Sequence, residues 1–337
     1  MINFSNVKQW GILDKEIVEA RLNDVVVWRR PDLRLYTPFY VENTTTSAEQ
    51  LQIYKQVSNT GATVSRAPDI TIEYSTDNVN WSTLGSTRDT SYSYPLTLSI
   101  AAKTKVYLRS VASAWCVYSS YSNESGYYYN VIRGVDTVGG NIMSLIYGSN
   151  YVNKYSLNKE NLFSHLFSRS TVVSAKDLII PAKNISSGCY GRMFEFCSSL
   201  KYAPESLPAT TLTKSCYASM FYDCSSLITA PELPATTLAD YCYSGMFRYC
   251  IKLTTAPDLL APTLVLSCYS NMFGGCSSLN YIKCLAENPS PTEPPYHGGV
   301  DDWVTRVPAT GRFIRKSGVS WSRGDDGIPE GWRVEDA

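Results

Sequence analysis

CYGRMFEFCSSL, residues 189–200, recurs as CYASMFYDCSSL at 216–227, CYSGMFRYCIKL at 242–253 and CYSNMFGGCSSL at 268–279. First cysteines stand at 189, 216, 242 and 268 and second cysteines at 197, 224, 250 and 276, which sets a unit of 26 or 27 residues. Self-similarity at this period marks a solenoid, in which each unit buries its apolar face only against its neighbours. A degenerate copy stands upstream in LFSHLFSRSTVV, where Leu162, Phe163, Leu166 and Phe167 fill the Cys, Tyr, Met and Phe slots. Such an atypical unit suits the end of an array, where one side meets solvent.

Within one unit, apolar residues at i, i+4 and i+8 with aromatics at i+1 and i+5 predict a short inward-facing helix or helical turn. The run that follows, as in SSLITAPELPATTL at 225–238, predicts an extended segment with Leu227, Ala230 and Leu233 turned inward. Pro231 and Pro234 exclude a helix there and define a corner.

The cysteines invite sharper readings, and each meets a physical objection. Residues eight apart in a helix are separated by about 12 Å at ~1.5 Å per residue, whereas a disulfide needs Cα atoms within roughly 7 Å. Packed helices lie about 8–10 Å apart, which also disfavours bridges between units. Zinc needs four converging Cys or His ligands, usually with closely spaced cysteine pairs. No such pair exists here, and the chain has only His165 and His297. A cysteine nucleophile needs an activating base, and spacing ties neither histidine to a particular cysteine. The remaining reading is a small buried apolar side chain that lets units stack closely. No metal, cofactor or catalytic residue is expected.

Outward from the repeat, three further zones are expected. Residues 1–35 form an N-terminal segment in which Val25-Val26-Val27-Trp28 reads as a strand after an Asn23-Asp24 turn. Residues 36–130 alternate like strands: Ile70, Ile72 and Tyr74 share a face before a turn at Asp77-Asn78, and Leu96, Leu98 and Ile100 precede a turn that leads to Val106 and Leu108. This zone is expected to be an antiparallel, immunoglobulin-like β-sandwich. The repeat zone covers 131–288, and 289–337 is expected to be a cap of short strands after the Pro-rich ENPSPTEPPYHGG. The fold class is therefore mainly β with short helices, a β-sandwich followed by a leucine-rich-repeat-like solenoid.

Lys+Arg and Asp+Glu each number 30 in 337 residues, so bulk charge does not favour a nucleic-acid partner. Tyr contributes 25 residues, and tyrosine gives contact area with few torsions to freeze. The start, MINFSNVKQWGILDKEIVEARLND, lacks a basic segment followed by an apolar run of signal-peptide length. No later stretch reaches the roughly 20 apolar residues that span a bilayer. Folding in a reducing cytosol without membrane insertion is the expectation.

The frame C-Y-x-x-M-F-x-x-C-x-x-L-x-x-A-P resembles the G-x-x-A-F-x-x-C-x-x-L-x-x-[IV]-x-[IL]-P pattern of BspA-type leucine-rich repeats. Met193-Phe194, Met220-Phe221, Met246-Phe247 and Met272-Phe273 stand where that family has Ala-Phe. Cys197, Cys224, Cys250 and Cys276 stand at its cysteine, and Leu200, Leu227, Leu253 and Leu279 at its leucine. The resemblance covers roughly residues 157–286, with Cys-Tyr replacing the usual Ile-Gly. It implies a surface adhesin that binds a host glycan or protein. ARLNDVVVWRRP and GIPEGWRVEDA, together with the domain order, resemble fibre or tail-associated proteins of phages infecting gut Bacteroides-type bacteria. That resemblance implies a virion protein, assembled in the host cytoplasm. It implies docking on other virion proteins by the N-terminal segment and a homo-oligomer, with a trimer favoured. A bacterial cell-surface or secreted adhesin and a glycan-degrading phage fibre are the alternatives.

Candidate binding residues are sought in slots that change between units. The slot before the second cysteine reads Phe196, Asp223, Tyr249, Gly275, and the one before it Glu195, Tyr222, Arg248, Gly274. The second residue after the leucine reads Tyr202, Thr229, Thr255, Tyr281. Phe196, Tyr202, Tyr222, Arg248, Tyr249 and Tyr281 are the residues expected to stack on sugars or meet a protein partner. Asp301-Asp302 and Asp325-Asp326 read as solvated turns rather than calcium ligands, and the RGD at 323–325 carries no weight.

Overall fold

A computed structural model describes residues 9–13, 16–22, 25–29, 33–57, 70–91, 94–111, 128–289 and 298–337. Among them the chain is mainly β, with one short α-helix. β1 (Gln9–Leu13), β2 (Glu16–Leu22) and β3 (Val25–Arg29) make a three-stranded antiparallel meander. The strand expected at 25–28 is β3; the Asn23-Asp24 turn lies outside the described residues.

The next strands are β4 (Tyr40–Asn43), β5 (Glu49–Val57), β6 (Thr71–Ser75), β7 (Ser82–Ser86), β8 (Leu96–Ile100), β9 (Thr104–Ser110), β10 (Tyr128–Arg133) and β11 (Thr137–Asn141). Helix α1 (Ser144–Tyr147) and strand β12 (Leu178–Ile179) follow. They build a three-stranded sheet, β10-β5-β8, and a six-stranded sheet, β12-β11-β4-β9-β6-β7. Period-2 alternation sends Leu51, Ile53, Ile100 and Ile132 from the first sheet into the same buried cluster as Val41, Ile72, Val106 and Leu108 from the second. The β6–β7 turn falls where expected. The Asp77 carboxylate accepts from the backbone N–H groups of Val79 and Asn80, and Asn78 takes φ 61°. The second expected hairpin is not one. β8 pairs with β5 and β9 with β4 and β6, so the turn after Ile100 carries the chain from one sheet to the other. The sequence pattern shows two alternating runs around a turn but says nothing about which partner each run takes. The boundary expected at residue 130 also falls inside β10, whose whole length pairs with β5.

The repeat differs from expectation in its local backbone. Residues around each C-Y-x-x-M-F-x-x-C are not helical; they form a ribbon of turns with a period of four. A positive φ recurs at Gly188, Arg192 and Phe196, at Ser215, Ser219 and Asp223, at Tyr241, Gly245 and Tyr249, and at Ser267, Asn271 and Gly275. Alternate N–H groups close local turns, such as Met220 N–H to the Tyr217 carbonyl and Cys224 N–H to the Phe221 carbonyl. The N–H groups between them donate to the next unit: Tyr217 to Cys242, Ser219 to Ser244, Phe221 to Met246 and Asp223 to Arg248. A helix would direct every N–H to its own fourth-preceding carbonyl; here half of them tie neighbouring units together.

The same registration stacks side chains in columns. Phe163, Tyr190, Tyr217, Tyr243 and Tyr269 stack with ring centroids 5.5–6.0 Å apart. Phe167, Phe194, Phe221, Phe247 and Phe273 stack at 5.0–5.8 Å. Each such pair stabilises by about 0.5–1.5 kcal/mol beyond its area burial. Trp303 closes both columns, 6.3 Å from Tyr269 and 6.1 Å from Phe273. The nine described cysteines are buried. The thiols of Cys197, Cys224, Cys250 and Cys276 donate to the carbonyls of Phe167, Phe194, Phe221 and Phe247 in the preceding unit. Each second cysteine is thus a small side chain that also tethers adjacent units.

Away from the turn ribbon, the extended segments meet in parallel. Thr137 bridges Ser174, Ser174 bridges Tyr202 and Tyr202 bridges Thr229, while Thr255 bridges Tyr281. The row continues through β13 (Tyr281–Cys284), β14 (Arg312–Arg315) and β15 (Arg333–Asp336), paired in parallel. Both ends therefore carry on the stacking. β11 pairs in parallel with β12 while remaining antiparallel to β4. At the other end residues 298–307 form one more turn arc, with Phe273 N–H donating to Trp303 and Gly275 N–H to Thr305.

Candidate functional site

The turn arcs expose one edge along which the positive-φ slot recurs. Arg169, Phe196, Asp223, Tyr249, Gly275 and Arg306 occupy it in successive arcs, with φ between 55° and 76°. Because the turn geometry fixes the direction of this position, side chains of successive units line up along one edge. Asp223 and Gly275 suit positive φ, whereas Phe196 and Tyr249 are bulky residues in a conformation that disfavours them. Their persistence there implies that the stacked arcs over-determine the backbone.

Four of the six expected binding residues come together on this edge. The Arg169 guanidinium lies 4.3 Å from the Phe196 ring centroid. Phe196 meets Tyr222 edge-to-face at 5.3 Å, and Tyr222 meets Tyr249 likewise at 5.7 Å. Arg248 donates to the Tyr249 hydroxyl at 3.3 Å, with its guanidinium 5.0 Å from that ring. The rings are half-buried: each packs on the next and leaves part of itself to solvent. Tyr202 and Tyr281 do not join them. They stand in the parallel-bridge row, separated from each other by the units of Thr229 and Thr255. Tyr202 is exposed, and Tyr281 packs near the Arg312 guanidinium at 5.7 Å.

Beside Phe196 lies a polar cluster of which the changing slots disclosed only Glu195. Glu195 accepts from Arg192 at 2.9 Å, and His165 Nε2 is 3.8 Å from its other carboxylate oxygen. Burial, with Arg192 adding to it, holds the His165 imidazole down at about 3, so it is neutral at physiological pH. Burial pushes the Glu195 carboxyl up, while Arg192 and Arg169 oppose that rise. His165 Nδ1 is 2.8 Å from the Ser164 hydroxyl. Arg169 and His165 were legible in principle, each lying 27 residues before its counterpart, Phe196 or Arg192.

Further along the edge the row of large side chains stops at Gly274-Gly275. The two glycines floor a hollow of about 140 Å³ walled by Arg248, Tyr249 and Arg306. A Cβ on Gly275 would fall 2.4 Å from Tyr249 Cδ1, so only glycine there lets this ring lie down.

The remaining motifs have structural employment. Arg323 of the RGD donates to the Pro329 and Trp332 carbonyls and so fastens the C-terminal turn. The Asp326 carboxylate accepts from the Asp302 N–H, and Asp301 from the Gly298 N–H. No group of three His, Cys, Asp or Glu side chains with metal-binding geometry occurs among the described residues, and His297 lies outside them. Burial pushes the thiols of Cys197, Cys216 and Cys276 up to about 12, which keeps them protonated and poorly nucleophilic. No described helix is long and apolar enough to cross a membrane.

Comparison with protein-family models, curated proteins and solved structures yields no match.

Proposed function

We propose that this chain is a recognition protein: an immunoglobulin-like β-sandwich leading into a leucine-rich-repeat-like solenoid, which serves as a fibre or adhesin of a phage virion. The N-terminal segment docks on other virion proteins, and the solenoid edge faces a glycan or protein on the host surface. The observation that supports this reading best is the continuous row Arg169–Phe196–Tyr222–Tyr249–Arg248. Rings and guanidiniums on an ordered edge provide stacking area and hydrogen-bond donors at little entropic loss. The virion assignment rests on the resemblance of the two termini and the domain order.

Two measurements test it. Cryo-electron microscopy of particles from infected gut Bacteroides-type cultures should locate this chain on the virion; a free monomer absent from particles would overturn the virion assignment. Glycan and host-surface protein arrays probed with the full chain should give a ligand whose binding weakens at least about tenfold in Tyr222→Ala, the usual scale for an interface anchor. An array signal indifferent to Tyr222→Ala and Phe196→Ala would remove this edge from the reading. An assay for released sugar on the bound glycan distinguishes a binder from a glycan-degrading fibre.

A further inference from the structure

The glycine hollow breaks a rule that every other arc keeps. Glu195-Phe196, Tyr222-Asp223, Arg248-Tyr249 and Thr305-Arg306 place side chains at the two slots before the second-cysteine position; Gly274-Gly275 places none. The vacated volume lies at the end of the aromatic row, so a ligand lying along the row reaches it. Two arginines, Arg248 and Arg306, line it, and among the described residues neither is in an ion pair with a carboxylate. The Tyr249 ring forms one wall. Asp302 contributes a carboxylate whose contact with the Thr305 hydroxyl is long, 3.4 Å, and Asn271 contributes an amide.

From this combination, and resting on the recognition reading above, we infer that the hollow is a subsite for one acidic saccharide unit, of the uronic-acid class, within a longer glycan. Each element answers one feature of such a unit. The guanidiniums meet a carboxylate with paired N–H donors. The carboxylate of Asp302 and the Asn271 amide meet hydroxyls. The Tyr249 ring takes the C–H face of the sugar. Inorganic phosphate would leave Asp302 facing an anion, and a neutral sugar would leave both cations unmatched. The volume is well below the roughly 300 Å³ at which drug-sized sites begin, which fits a single unit entering from the row.

The test uses the full chain and two linear trisaccharides, one of galacturonic acid and one of galactose, titrated calorimetrically. The uronate is expected to bind about tenfold or more tightly than its neutral counterpart, the scale of a charged hydrogen bond, and to weaken with added salt. Gly274→Tyr should erase that preference. Its Cβ meets only ordinary contacts, 3.5 Å and beyond, and the equivalent slot already carries Tyr222, so the arc should still fold. Arg248→Gln with Arg306→Gln should erase the preference with the hollow still open. Equal binding of the two trisaccharides, or a uronate preference untouched by Gly274→Tyr, would overturn the subsite. Competition by inorganic phosphate as strong as by the uronate would overturn the saccharide class. A different array ligand that Tyr222→Ala weakens while Gly274→Tyr does not would sink the subsite and leave the recognition reading standing. Absence of any array ligand sensitive to Tyr222 would sink the recognition reading itself.

Discussion

The inner wall and outer edge of each arc share one backbone and differ in what they tolerate. Cys189-Tyr190-Met193-Phe194-Cys197 and its three later copies are fully or almost fully buried, and the same residue types recur at each position. Between the inward Phe and the second Cys the two intervening slots run from Glu-Phe to Gly-Gly. A turn period of four keeps each position in one environment from unit to unit. Inward positions must match the ring above and below, whereas outward positions need only accept the turn.

The largest effect that bears on this contrast should come from an inner ring. Phe221→Ala removes a fully buried side chain from the middle of a column and should destabilise the repeat by about 3–5 kcal/mol. Tyr249→Ala, on the edge, should stay within about 1 kcal/mol. Urea unfolding of the two variants measures both; equal shifts would mean that the outer row is scaffold too.

Alkaline pH should come next. The thiols of Cys197, Cys216, Cys276 and Cys284 are pushed from an ordinary 9.0 to about 12, and those of Cys224, Cys242 and Cys250 are also raised by burial. The folded chain keeps protons that the unfolded chain releases, so stability is full below about pH 9 and falls as pH rises toward about 12. Thermal unfolding followed across that range should show the loss, and a thiol reagent should reach these cysteines only on unfolding.

In acid the sign reverses at His165. Its imidazole is held down from an ordinary 6.5 to about 3, so the unfolded chain takes up a proton that the folded chain refuses. The stability tied to this group is full above about pH 6.5 and is lost as pH falls through about 3. His165→Asn, which tolerates the φ of 60° found there, should flatten this limb between those values in urea titrations.

The smallest effect tests why the inner column is tyrosine at all. The Tyr217 hydroxyl is buried with no hydrogen-bond partner among the described residues, and Phe163 fills the same slot one end away. Tyr217→Phe should therefore be neutral or stabilise by up to about 1 kcal/mol. A clear loss would show that the hydroxyl has a partner after all.

The repeat and its inward stripe were legible because 26–27-residue spacing and buried residue types are properties of sequence. The turn ribbon was not. Apolar residues at i, i+4 and i+8 drift by only about 80° on a helix, so nine residues fit a 3.6-residue period nearly as well as a period of four. The discriminating signal was the outer slot: Gly188, Ser219, Asp223, Gly245, Asn271 and Gly275 are small or positive-φ residue types at four-residue multiples. The arc at 298–307 escaped for another reason. Gly299, Val300, Trp303, Val304 and Val307 keep the spacing, but the Pro-rich insertion lengthens the interval from 26 to 31 residues and the cysteines are gone. On the edge, single-letter variation found the rings of Phe196, Tyr222 and Tyr249. It could not show that Tyr202 and Tyr281 lie on another row, because that depends on where each unit turns.

The tyrosine column that ends on Trp303 also makes the protein its own light gauge. Excitation absorbed anywhere along Tyr190, Tyr217, Tyr243 and Tyr269 can hop between rings under 6.1 Å apart and drain into the indole of Trp303, 6.3 Å beyond the last phenol. Indole emission excited through tyrosine should therefore fade when the final arc lifts away, before the rest of the stack has come apart.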